Sequence, residues 1–273
     1  MVKNFTKEFD KFLNLIKTDE PFSFTRFSDG EITILRDQPV VLASNYFIQG
    51  DLHGENKNFV PEGTYNKEEQ KEFLPEKHQF FRKKLLESFL FEKHNYFKGI
   101  PAQNCLDNGA SWKFCVDLYN ENDIEHLSFA SVMINDNYKR FIREMVPEFS
   151  NKKVVLIANE NSNVANLPFW LVKMFSVGSN CMVNNYYLID EIKQWISEKN
   201  IENHLFLFSA SSLSNLLGYE LYKDYGNNQY LDIGSSLGPL LGLTGWRGSR
   251  HYLNLYWSNP KNPPKQEIDD LWN

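Results

Sequence analysis

Phe24-Thr25-Arg26-Phe27-Ser28-Asp29-Gly30-Glu31 is the stretch from which the fold can be read outward. The run Phe22–Phe27 alternates aromatic with polar residues, as a short buried strand does, and Ser28-Asp29-Gly30-Glu31 then turns into a helical pattern. A strand that ends in a turn and feeds a helix opens an α/β unit, and in open α/β sheets ligands sit beyond the carboxyl ends of the strands. Asp29 and Glu31 flank a single glycine. At a strand end, such a D-x-E pair can direct both carboxylates at one hard cation. Arg26, one strand turn earlier, is placed to meet phosphate oxygens that the cation also binds. The same spacing suits a solvated turn followed by an acidic first helical turn, where Asp and Glu complement the helix dipole. Spacing alone leaves both readings open.

The rest of the chain extends the alternation. Phe5, Phe9, Leu13 and Ile16 recur at helical spacing ahead of the first strand, and Phe80, Phe81, Leu85, Phe89 and Leu90 describe a helix after Pro75. Short apolar runs at Leu127–Ala130, Val154–Ala158, Cys181–Tyr187, His204–Phe208 and Tyr230–Ile233 are expected strands. Between them, Tyr138–Val146, Val164–Phe175, Ile189–Lys199 and Leu213–Tyr225 are expected helices. The fold class this predicts is α/β and Rossmann-like, a mostly parallel sheet with helices on both faces. No internal repeat or linker divides residues 1–273, so one domain is expected. The polar stretch around 39–75 carries little periodicity and is expected to be an inserted loop, with Asn45–Tyr65 as a lid over the site. The Pro/Asn-rich run Ser258–Pro264 reads as a spacer.

Composition narrows the function classes. With 42% hydrophobic and 23% charged residues the chain is ordinary for a globular protein. Its net charge of −6 gives no field that would attract nucleic acid, so no nucleic-acid partner is expected. Aromatic residues make up 15% of the chain; most belong to a core, and the excess also suits a cleft that stacks on sugar or base rings. No apolar run reaches the roughly 20 residues of a transmembrane helix, and the charged, amphipathic start Met1–Phe5 is unlike a secretory signal. Cys105, Cys115 and Cys181 form no C-x-x-C pair, so reduced thiols and a cytoplasmic location are expected. The histidines show no H-x-x-x-H spacing, which argues against a zinc enzyme.

Three further strand ends could carry chemistry. The loop Ala158-Asn159-Glu160-Asn161-Ser162-Asn163 places Asn159 beside a buried strand. Ser209-Ala210-Ser211-Ser212 leads into a helix, where Ser209, Ser211 and Ser212 suit a phosphate or, equally, a helix N-cap. Leu231-Asp232-Ile233-Gly234-Ser235-Ser236-Leu237-Gly238 imitates the first glycine-rich motif of a methyltransferase. That motif normally opens its domain, whereas only about 35 residues follow here, too few for the strands that would hold an adenosyl group. What remains is a carboxylate, Asp232, beside Gly234, which allows close backbone approach. The chain contains neither a G-x-S-x-G elbow nor a Walker motif.

Taken in order, these motifs resemble the GT-D fold glycosyltransferases, a bacterial family that builds glycans on surface proteins and polysaccharides. Arg26-Phe27-Ser28-Asp29-Gly30-Glu31 is close to the family's R-F-G-D-G-E. Leu205–Phe208, the serine loop and Asp232-Ile233-Gly234 are similar to its strand, small-residue loop, helix and D-I-G strand end. Val154–Phe169 is similar to its middle strand–loop–helix, with Asn166 at a family-like asparagine. The chain departs where it has Ser209-Ala210-Ser211-Ser212 for a Gly-Pro loop, Asn159-Glu160 for Glu-Gly, and Ser235-Ser236 for His and acidic followers.

The resemblance implies transfer of a sugar from a nucleotide-diphosphate donor, a UDP-sugar first among candidates, to a glycan or glycoconjugate acceptor. It implies Mn²⁺ or Mg²⁺ held by Asp29 and Glu31, with Arg26, Asn159, Ser209, Ser211, Ser212, Asp232 and Gly234 around the donor. Asp232 would orient the donor or serve as general base. The alternatives are a metal-dependent phosphohydrolase and a nucleotide-sugar binding module without turnover.

Overall fold

The computed structural model describes residues 3–50, 57–62, 69–103, 107–119, 124–243 and 253–254. The Ser258–Pro264 spacer, Cys105 and the middle of the expected lid lie outside them. A seven-stranded sheet forms the centre, and all its pairings are parallel. Its strands are β1 (Phe22–Arg26), β6 (Tyr96–Ile100), β7 (Leu127–Phe129), β8 (Lys153–Asn159), β9 (Leu171–Val177), β10 (His204–Phe208) and β11 (Gln229–Asp232), in the order β7-β6-β1-β11-β10-β8-β9. The remaining strands, β2 (Val40–Leu42), β3 (Tyr46–Gln49), β4 (Lys57–Phe59) and β5 (Lys71–Phe73), form a separate antiparallel sheet, β4-β3-β2-β5.

Alternation along the central strands divides the core in two. Val155, Ile157, Phe206, Phe208 and Tyr230 point to one face, and Val154, Leu156, Ala158, Leu205, Leu207 and Leu231 to the other. Both sets are buried, which is why these strands read as continuous apolar runs. The first face is covered by α2 (Asp29–Leu35), α3 (Pro75–Leu90), α4 (Ala110–Tyr119), α8 (Leu188–Lys199) and α9 (Leu213–Asp224). The second is covered by α1 (Phe5–Lys17) and by a broken helical segment, α5 (Tyr138–Arg140) and α6 (Val146–Glu148) on either side of a π turn. The expected fold class is therefore the one observed. No described helix is long and apolar enough to cross a membrane.

Three expectations about local structure need correction, and one strand was not expected. Val164–Phe175 is not a helix: a short 3₁₀ turn at Val164–Asn166 gives way to β9. Pro168 interrupts any helical ladder there, and the edge strand buries Phe175 and Val177 while exposing Val172 and Ser176. Cys181–Tyr187 is not a strand; α7 (Cys181–Asn184) is a single turn that begins from Asn180 in the left-handed region and buries only Cys181 and Met182. Tyr96–Ile100 is a central strand that the Lys98-Gly99 pair disguises, since Lys98 lies against the Tyr119 ring at 4.1 Å. The stretch 39–75 is no structureless loop, because it holds the antiparallel sheet.

Two features position the site. β1 lies between β6 and β11, so the first strand and the last strand of the described sheet are neighbours. And α9 packs directly on β1: a Cβ at Gly218 would lie 2.4 Å from Thr25 Cγ2, and Ser23 Oγ donates to the Gly218 carbonyl at 3.0 Å. This brings the start of α9 next to the end of β1.

Candidate functional site

The carboxyl ends of β1, β10 and β11 meet at one edge of the sheet. β1 delivers Arg26, whose backbone N–H donates to Asp232 Oδ2 at 3.2 Å and whose Nε donates to the Ala130 carbonyl at 2.6 Å. Asp232, at the end of β11, accepts from the Gly234 N–H through Oδ1 at 2.9 Å. Gly234 has φ +51°, and a Cβ there would fall 1.6 Å from Arg26 Nη1. Glycine is therefore required twice, for the left-handed backbone and for the guanidinium stacked on it. Asn215 on α9 completes the end of β1, donating from Nδ2 to the Arg26 carbonyl at 2.9 Å.

The D-G-E turn is the first turn of α2, with Ser28 as its N-cap. Glu31 is 7% exposed; Oε2 accepts from the Ser28 N–H at 3.0 Å and Oε1 from the Ser212 hydroxyl at 2.5 Å. Its carboxylate thus caps its own helix and ties α2 to the start of α9. Asp29, one helical position earlier than Gly30, is half-exposed. Glu31 is thus built into the frame through both carboxylate oxygens, while Asp29 on the same turn is half-exposed.

The remaining expected residues divide. Ser211 holds φ +47°, is exposed and lines a cavity of about 170 Å³ that is closed on the other side by β2, β5 and α7. Ser212 also lines it, although its hydroxyl is engaged by Glu31. Ser209 continues the sheet, its N–H donating to the Ile157 carbonyl at 2.8 Å. Asn159 closes its own turn, accepting from the Asn161 N–H at 2.9 Å, and lies at the end of β8 beyond β10 and β11. Arg26, Asp232 and Gly234 form one hydrogen-bonded group and Glu31 and Ser212 another, and Asn215 of α9 ties the helix that carries Ser212 to the end of β1; the hydrogen bonds of Asn159 and Ser209 lead elsewhere. Sequence reasoning missed Asn215, Ala130 and the cavity residue Lys71, none of which carries a motif.

Burial pushes the Asp232 carboxyl up to about 6; the Arg26 charge and the two N–H donors oppose this, and the charge of Glu31 adds to it. A carboxyl raised in the folded state holds its proton more tightly there than in the unfolded chain. Its contribution to stability is fully present below the unfolded value near 4 and is lost as pH rises through about 6. The free-energy difference between wild type and Asp232→Asn should therefore shift against the wild type by roughly 2–3 kcal/mol between pH 4 and pH 8. Denaturant unfolding at both pH values measures it, and a pH-independent difference would mean that Asp232 titrates normally.

No protein-family model matches the chain, and no curated protein matches it in sequence. Solved structures do. The chain is similar over most of its length to structures of domain 1792. One, described as a highly conserved domain of unknown function 1792 with a distinct glycosyltransferase fold, aligns at 14% identity and a TM-score of 0.49, covering 85% of this chain and 82% of that one. Another, described as a new glycosyltransferase (DUF1792) from Streptococcus sanguinis, aligns at 13% identity and a TM-score of 0.47, covering 84% and 80%. At this level of likeness, what the site does has to be read from its own side chains.

Proposed function

We propose that the protein is a glycosyltransferase that takes its sugar from a nucleotide-diphosphate donor. The observation that carries this reading is the joining of β1 to β11 through Arg26 and Asp232, of α2 to α9 through Glu31 and Ser212, and of α9 to β1 through Asn215, beside a cavity at the carboxyl edge of the sheet. That edge is where open α/β folds bind nucleotides. Among the described residues no group of three or more His, Cys, Asp or Glu side chains is gathered as a metal cage. Two carboxylates on one turn still fit Mg²⁺ or Mn²⁺, which are commonly held by one or two carboxylates together with substrate phosphates. Asp29 would be the outward ligand and Glu31 the buried one. When bound, the cation would offset the charge that develops on the departing diphosphate.

The chain's own residues do the positioning. Asp232 orients Arg26 and the Gly234 turn and is a positioning residue on this reading, not the base. Arg26 keeps positive charge at the strand end, and Ser211 offers its hydroxyl from across the cavity. Phosphate hydrolysis and donor binding without turnover are the competing outcomes of one experiment. The protein is incubated with UDP-sugars and other nucleotide sugars in Mn²⁺, with and without glycan acceptors. Acceptor-dependent nucleotide release is expected. Acceptor-independent phosphate release would instead mark a phosphohydrolase, and binding without release a sugar-nucleotide module.

A further inference from the structure

We propose that Lys71 is the cation through which this cavity takes a diphosphate; the assignment rests on reading the site as one for a nucleotide-diphosphate donor. Lys71 and Phe73 share one face of β5, because side chains two apart in a strand point the same way. Phe73 is 2% exposed and belongs to the core, which turns Lys71 inward as well, while Glu72 between them is exposed. A Cβ on Gly30 would lie 3.0 Å from Lys71 Nζ, so the ammonium rests over the middle of the Asp29-Gly30-Glu31 turn. Its charge also reaches Cys181 on another wall of the cavity.

Several other partly buried lysines have carboxylate partners. Lys11 pairs with Glu8 at 2.6 Å, Lys152 with Asp19 at 2.5 Å and Lys193 with Glu220 at 2.8 Å. The ammonium of Lys71, half-buried, has no ion pair or side-chain hydrogen bond among the described residues, although Glu69 and Glu72 also contribute to the cavity wall. Partial burial strips water from an ammonium, a loss that a counter-charge would offset. Ser211 and Ser212 on the opposite wall are neutral, and Ser211 is exposed, so the wall facing Lys71 leaves room for an anion with acceptor oxygens. An ammonium is a compact point charge with three donors, suited to phosphate in any orientation. The small antiparallel sheet therefore contributes a ligand-binding residue of its own to the site built on the large one.

The test is calorimetric titration with inorganic pyrophosphate and with UDP, once in Mg²⁺ and once in chelator. Wild type, Lys71→Met and Lys71→Arg are compared. Lys71→Met should weaken both probes by roughly ten- to a hundredfold, the size of a lost charge-assisted bond, and leave the apo thermal midpoint unmoved. Lys71→Arg should retain affinity to within about threefold, because it keeps the charge. Wild-type affinity in Lys71→Met overturns the assignment, and if acceptor-dependent nucleotide release persists, the transferase reading survives that failure. Lys71-dependent pyrophosphate binding in a protein that turns over no nucleotide sugar leaves the assignment standing and removes the transferase reading. A wild type that binds neither probe overturns both.

Discussion

Gly234→Ala is expected to cost on the order of 3 kcal/mol and to disable the site at the same time. The backbone there lies at φ +51°, where an L side chain costs about 1–2 kcal/mol. The added methyl would also fall 1.6 Å from Arg26 Nη1 and 2.7 Å from Cζ. Arg26 must then leave its position and give up the 2.6 Å bond to the Ala130 carbonyl. Because the two residues collide directly, Arg26→Ala should relieve much of the damage, and the double variant should be more stable than the sum of the singles predicts. Denaturant unfolding of the four proteins in the cycle checks it. A loss below about 0.5 kcal/mol for Gly234→Ala would show that Arg26 does not lie against Gly234 in solution.

The largest effect on turnover is expected from Asp29→Ala, a loss of about 10²–10⁴-fold with stability changed by no more than about 1 kcal/mol. Asp29 is half-exposed in the first turn of α2, where a carboxylate complements the helix dipole. Glu31→Ala should also abolish turnover but, unlike Asp29→Ala, should destabilise by roughly 2–3 kcal/mol. Its removal strands the Ser28 N–H and the buried Ser212 hydroxyl. Chelator should suppress turnover of the wild type and Mn²⁺ should restore it. Undiminished activity in chelator would eliminate the cation from the mechanism and leave both carboxylates as capping groups.

Much of the sheet was legible because β8, β10 and β11 are buried on both faces and their apolar runs are uninterrupted. β9 was misread because an edge strand buries alternate residues only near its end, and the apolar spacing before Pro168 imitates a helix. The small sheet was missed because its strands have three or four residues each, too short to establish a period. At the site, Asp29, Glu31, Arg26 and Asp232 were visible as a charged turn and a strand end. The division of labour between them was not. Which carboxylate is buried depends on Ser212 arriving from 181 residues away, and the place of Arg26 depends on Ala130 and Gly234. Lys71 leaves no trace in sequence, since its place beside the Asp29-Gly30-Glu31 turn is set by the packing of β5.

The pairing of β1 with β11 has a consequence for biosynthesis. The Arg26–Asp232 contact closes a loop of 206 residues, and both anchors, Asp232 for Arg26 and Ser212 for Glu31, are made long after the residues they hold. At ordinary translation speeds, Arg26 waits on the order of 10–40 s for its partner to be synthesised. Through that interval β6 can pair with one edge of β1 while the other edge stays open, a strand edge of the kind that recruits foreign chains. The nascent protein thus carries an incomplete site and an unsealed sheet together, and the docking of one four-residue strand resolves both.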